Sequence, residues 1–324
     1  MVLHFRKATG IYLRTFPFVL LRLGVGVLFG VLAIVYFGIV ALLGFGLLNA
    51  GVISGVVGAI GLILAILIFF AGWKLLSRYV LYLVKVGHIA VIAEAVDTGE
   101  VPSGQVRYGI GQVREHFAEA SILFAIDKLV KAVIRQFNDA VMSFSDFFSV
   151  VPSLKQLIQI AGKAVALAAS YIDEAIIAHM FVTEETGRWA AARDGVVLYA
   201  KNWKPVLGST LLIVVGQYAV AFLVFLALSP FAFVIGRFSP TIEAIGWVIV
   251  AGIGAAVYTG LIRPWVKTVV ITTFLVESQD QTPDSETVDW LSERSSKFRE
   301  LESKVSEETA GNAQAEPQVA ESPS

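Results

Sequence analysis

The sequence predicts an all-α integral membrane protein in which two transmembrane helical hairpins, four spans in all, flank a cytoplasmic or interfacial helical domain. Three observations predict this class. Charged residues make up only 16% of the 324 and hydrophobic ones 56%, whereas a soluble domain carries about a quarter charged residues. The shortage is concentrated in four charge-free blocks, and mean hydropathy is +0.73. Finally, Lys and Arg avoid the short loops inside each pair of blocks.

Taken in order, the N-terminal stretch "MVLHFRKATGIYLRTFPFVLLR" is basic but lacks a short apolar core followed by a small-residue cleavage site. It reads as a retained segment near the membrane. A helix needs about 20 apolar residues to cross a bilayer core. Leu23–Leu48 and Val52–Gly72 meet that length, as do Val206–Ile235, interrupted by Pro230, and Ala244–Ile262. Of the 25 Lys and Arg, only Arg237 falls in a hairpin loop. The positive-inside rule then puts both termini and the middle of the chain in the cytoplasm of a cell-membrane protein.

Three Trp-Lys pairs stand at the edges of these blocks: Trp73 with Lys74, Trp203 with Lys204, and Trp265 with Lys267. An amphipathic indole suits the headgroup level, and a nearby Lys can reach anionic phosphates, so the pairs read as anchors on one membrane face. Within the spans, Gly26 and Gly30, Gly51 and Gly55, and Gly252 and Ala256 form small-xxx-small patterns that would let helix backbones approach closely. Gln217 is the only carboxamide in the blocks, and Tyr218 and Tyr258 accompany it; an interhelical hydrogen bond is the first expectation for Gln217. No ionisable residue lies near the middle of any block, so the buried charges on which coupled transport usually depends are not expected.

The chain divides into 1–98 (basic segment, first hairpin and its helical extension), 99–203 (amphipathic helices), 204–277 (second hairpin) and 278–324 (short helix and acidic tail). In 75–96, Lys74, Arg78, Lys85 and His88 recur at helical spacing on an otherwise apolar helix. Such a helix is buried in a bundle or lies in the interface; as a fifth span it would carry Lys85 near mid-bilayer. "GQVRYGIGQVRE" sets Arg107 and Arg114 on one helical face, without the strand or the lysine of a phosphate-cradling loop. The stretch 119–149 carries an apolar stripe through Ile122, Ile126, Leu129, Val133, Phe137, Val141, Phe144 and Phe148. Asp127–Lys131 and Arg135–Asp139 are ion pairs expected on its outer side. Pro152 and a capping box at Ser153–Gln156 lead into 154–182. There Asp173, Glu174, His179, Glu184 and Glu185 read as surface charge, because Glu174 and His179, five apart, do not share a face for a metal.

The tail helix 282–305 starts at Thr282 and Pro283 and repeats Leu291, Phe298 and Val305 at seven residues, with Leu301 between them, as a docking or weakly self-associating helix would. Beyond it the composition suits disorder.

With no cysteine there is no disulfide, thiolate metal site or cysteine nucleophile. Serine-nucleophile motifs are absent too, so no catalytic residue, cofactor or metal is expected, and the net charge of −1 gives no basic field for nucleic acid. The expected partners are the lipid bilayer, further copies of the chain, and a cytoplasmic protein met through the 119–182 helices or the 282–305 helix. The expected role is non-enzymatic membrane organisation or interaction, with a passive channel or transporter as the alternative. In layout, "YIDEAII…DGVVLYAKNWK" before a closing pair of spans resembles the choline transporter-like family. That resemblance would imply transport, but the chain lacks the family's larger set of spans and its cysteine-bearing outer loops.

Overall fold

The computed structural model describes residues 4–76, 80–116, 120–141, 155–183, 187–237 and 240–315. Phe144, Phe148, Pro152, Ser153, Arg78, Glu184 and Glu185, named above, lie outside them. Every regular element among the described residues is helical: α1 (Phe5–Arg14), α2 (Phe16–Asn49), α3 (Gly55–Leu76), α4 (Tyr82–Asp97), α5 (Gln105–His116), α6 (Ala120–Val141) and α7 (Lys155–Val182). These are followed by α8 (Arg188–Lys201), α9 (Trp203–Gly236), α10 (Pro240–Val257), a π-helical turn (Tyr258–Ile262), α11 (Arg263–Ser278), α12 (Ser285–Arg294) and α13 (Ser296–Ala315). Four helical stretches are long and apolar enough to cross a membrane: Phe16–Asn49, Gly55–Leu75, Trp203–Val234 and Ile249–Ser278.

α2 and α3 run antiparallel, with Leu48 against Gly58 at one end and Phe29 against Trp73 at the other. The seam between them is aromatic. Tyr36 and Phe37 lie 5.4 and 5.0 Å from Phe69, and the Tyr36 hydroxyl donates to the Ala65 carbonyl at 3.0 Å. α9 and α10 also run antiparallel, joined by Phe233 on Trp247 and by Gly246, whose missing side chain leaves room for the Ala232 backbone.

The small-xxx-small expectation is not met inside the chain. A β-carbon on Gly26, Gly51, Gly55 or Gly252 would meet open space, and Ala256 is exposed. Rings fill the seam between α2 and α3, so Gly26 and Gly55 point away from it. The tightest backbone crossing at a described glycine is elsewhere, where a β-carbon on Gly109 of α5 would come within 2.5 Å of the Gly87 carbonyl oxygen of α4.

The apolar core takes in parts of the third and fourth spans, at Val206, Ile213 and Val214 and between Ile262 and Leu275, together with the helices outside the spans. It is one continuous cluster running from Ala8 to Leu301, so all four sequence segments contribute to it. α4 is buried along much of Val86–Ala93, which places it in the helical bundle. α6 turns Ile126, Val130, Val133 and Phe137 onto α7 and α8, so its apolar stripe is covered by the chain itself. The tail helix docks in the same way, with Leu291, Phe298 and Leu301 buried. Its cap is Asp284, which accepts from Thr287 N at 2.8 Å, and not Thr282. Glu308 in turn accepts from the first two backbone N–H groups of α8, Arg188 and Trp189, each at 3.0 Å, and so satisfies donors that a helix start leaves free.

A buried ion cluster where the spans enter the bundle

The densest polar chemistry lies at the junction of bundle and spans. Asp173 and Glu174 sit in the part of α7 that is buried on every side, from Tyr171 to Ala178. A charge in such a helix must find its partner inside the protein. Glu174 Oε1 takes Lys267 Nζ of α11 at 2.6 Å and Lys85 Nζ of α4 at 3.5 Å. Lys85 also lies 3.9 Å from Asp127 of α6. Lys131, one turn along α6, bridges Asp127 at 2.5 Å and Asp173 at 3.1 Å. One network thus ties α4, α6, α7 and α11 together.

Environment separates the two adjacent carboxyls. Burial raises Asp173 above the ordinary carboxylate range, and Lys131 only partly offsets it. Burial would raise Glu174 as well, but Lys267 and Lys85 together outweigh it and hold the group below that range as an anion. His88, on the same side of α4 as Lys85, is pushed down to about 3 by burial, reinforced by the charges of Lys267 and Arg22. It is therefore neutral; its Nε2 meets Thr15 Oγ1 at 3.0 Å and its ring stacks on Phe18 at 5.2 Å.

Toward the membrane the network becomes neutral and aromatic. The Tyr171 hydroxyl donates to Gln217 Oε1 at 3.0 Å, joining α7 to α9 as expected for that carboxamide; Gln217 is 1% exposed and its Nε2 has no protein partner. Tyr218 faces outward and stacks on half-buried Tyr258 at 6.1 Å.

Two of the Trp-Lys pairs have their lysine exposed. Lys74 is exposed beside Trp73, and Lys204 is exposed with its ammonium 5.7 Å from the Trp203 ring. The third pair corrects the expectation. Trp265 donates to Thr9 Oγ1 at 3.0 Å and stacks on Phe5, but the Lys267 side chain turns inward to Glu174 and is only 14% exposed. Because 265 and 267 are two apart, they fall on different faces of α11, and only one can face the headgroups. Asp127, Asp173 and Glu174 are corrected likewise, from surface charge to buried groups. Arg107 and Arg114 are exposed. Among the described residues no cluster of three or more His, Cys, Asp or Glu side chains is placed to hold a metal ion.

Arg22, Lys85, Asp173, Glu174 and Tyr171 form a group only in the fold and not along the sequence. A signal was present: 82–96 and 171–182 are largely apolar on every side, which marks buried helices, and Lys85 on the one is opposite in sign to Asp173 and Glu174 on the other.

Compared with protein-family models, curated proteins and solved structures, the chain finds no match in any of the three, and the choline transporter-like resemblance gains no support.

Proposed function

We propose that the chain is a multi-pass membrane-organising protein: two hairpins, α2–α3 and α9–α10, cross the cell membrane, and the bundle and both termini lie in the cytoplasm. In this reading the protein associates with copies of itself through the hairpins and performs no catalysis. The observation that carries it is the apolar surface each helix pair turns outward. Ile34 is 75% exposed, Leu42 76%, Phe45 70%, Phe222 60% and Phe231 63%. Among the described residues the two pairs approach one another chiefly at their bases, where Leu23 closes on Gly260. The outward glycines Gly26, Gly55 and Gly252 leave room for a second helix to come close. The distribution of Lys and Arg supports the sidedness, and the absence of cysteine makes single-cysteine labelling clean.

Gly26→Cys and Gly252→Cys in lipid nanodiscs, followed by oxidation, test the association; cross-linked dimers are expected. An impermeant maleimide applied to intact cells should reach Ser54→Cys but not Ser285→Cys. One observation favours the second reading, a passive channel: Tyr218 stacks on Tyr258 on the spans, and Gln217, next to Tyr218 in the chain, keeps a buried amide nitrogen without a hydrogen-bond partner among the described residues. Solute flux from liposomes that Gln217→Leu abolishes would replace the organising role with that one.

A further inference from the structure

The buried cluster is out of charge balance. Arg22, Lys85, Lys131, Arg263 and Lys267 face only Asp127, Asp173 and Glu174, and lysines already engage all three carboxylates. Arg22 and Arg263 form no ion pair among the described residues. Each instead interacts across space with Glu174, and Arg22 also with Arg263. The Arg263 Nε is buried without a hydrogen-bond partner among the described residues. Two guanidiniums flanking the contact of Leu23 with Gly260, neither with a carboxylate of its own, make a site that an anion would complete.

Position indicates which anion. Arg22 is the last charge before the apolar block Leu23–Leu48, and Arg263 is the first after Ala244–Ile262. The two blocks converge there, with Leu23 Cδ2 where a side chain on Gly260 would be. Gly260 belongs to the π-turn, a local departure from helical register of the kind that recurs at functional sites. Both arginines keep partial exposure at this crease. Behind them, the cavity between Arg22, Lys85, His88, Glu174 and Lys267 measures about 20 Å³, room for a single water. A larger anion must therefore bind at the crease and not in the interior. The end of an apolar span is the level of lipid phosphates.

We infer that the crease between α2 and the π-turn binds the phosphate of an anionic lipid headgroup, gripped by Arg22 and Arg263 with Lys267 behind them. A planar guanidinium matches a phosphate bidentately, and a ring of fixed positive charge compensates the headgroup. The inference needs only a bilayer boundary at Arg22. It does not depend on the organising role, and a monomer would bind as well.

Native mass spectrometry of the full chain from phosphatidylcholine nanodiscs, with and without phosphatidylglycerol, tests it. The wild type should retain phosphatidylglycerol in preference to phosphatidylcholine. Removing one charged donor pair should weaken that retention about tenfold or more, in Arg22→Gln and in Arg263→Gln alike. Arg22→Lys, which keeps the charge and guards against misfolding, should fall between wild type and Arg22→Gln. Arg107→Gln, on the exposed face of α5, should retain lipid like the wild type. A titration with inorganic phosphate in detergent separates the sources. Stabilisation by free phosphate through the same arginines, without preference for phosphatidylglycerol, would keep the phosphate site and remove the lipid. Equal retention of both lipids with no response to phosphate would overturn the proposal, as would undiminished phosphatidylglycerol retention in Arg22→Lys and Arg263→Gln.

Discussion

Replacing Glu174 by Gln is the sharpest test of the ion cluster. The Glu174 side chain is 7% exposed and that of Lys267 14%, so neither can be rehydrated without opening the bundle. The substitution conserves shape but removes the anion at 2.6 Å from Lys267 and 3.5 Å from Lys85. Lys85 keeps a distant partner in Asp127 at 3.9 Å; Lys267 keeps none. Breaking a buried pair from one side costs about 3–5 kcal/mol, a large share of the total stability of a typical protein, about 5–15 kcal/mol. At about 2 °C per kcal/mol for a chain of this size, the melting temperature should fall by about 6–10 °C. The six tryptophans give a fluorescence readout of thermal unfolding in nanodiscs. Adding Lys267→Met removes the stranded cation, and because replacing both members of a buried pair is often close to neutral, the double variant should recover most of the loss. An E174Q protein that melts with the wild type, or a double variant in which the two single losses simply add, would refute the reasoning.

Three further outcomes follow from the same geometry. Neutral His88 has a folded pKa of about 3 against the ordinary 6.5, so between these values only the unfolded chain takes up the proton. Stability should therefore fall as pH drops through that window, by about 1.4 kcal/mol per unit, and His88→Gln should remove this slope in pH-dependent unfolding. Asp173, raised in the folded state, works with the opposite sign because the native protein holds its proton longer as pH rises; an Asp173→Asn background, read above the ordinary glutamate value of about 4.5, below which the depressed Glu174 adds a loss of the same sign, isolates the histidine. Gly109→Ala should destabilise by about 1–3 kcal/mol in thermal unfolding through overpacking, since its β-carbon would press on the Gly87 carbonyl, whereas Gly26→Ala meets open space and should fold normally. Phe298→Ala empties a fully buried site under α13; it should cost about 3–5 kcal/mol and speed tryptic cleavage at Lys297 and Arg299.

The apolar spans were legible because length and the lack of charge are local properties of the chain. Leu23–Leu48 could be read one residue at a time. The ion cluster was not legible, since burial of Glu174 depends on Lys267, 93 residues away. A lone Asp-Glu pair on a helix is also most often solvated. The tail helix shows the same limit: the spacing of Leu291, Phe298 and Leu301 predicts an apolar stripe but cannot say whether another chain or this one covers it. Glycine patterns misled for a related reason, because a small residue permits a close approach without requiring one. Gly87 and Gly109 make such an approach, yet their spacing carries no motif.

From Pro240 to Ser278 the backbone is one unbroken rod, through α10, the π-turn and α11, about 60 Å long. The described side chains from Ile249 to Ala256 are mostly exposed, whereas those from Pro264 to Leu275 are mostly buried in the bundle, and the π-turn joins the two parts. If α10 crosses a bilayer as proposed, a change in bilayer thickness, which changes the tilt a helix adopts, would be passed through the π-turn into α11, the helix that carries Lys267 and its ion pair with Glu174.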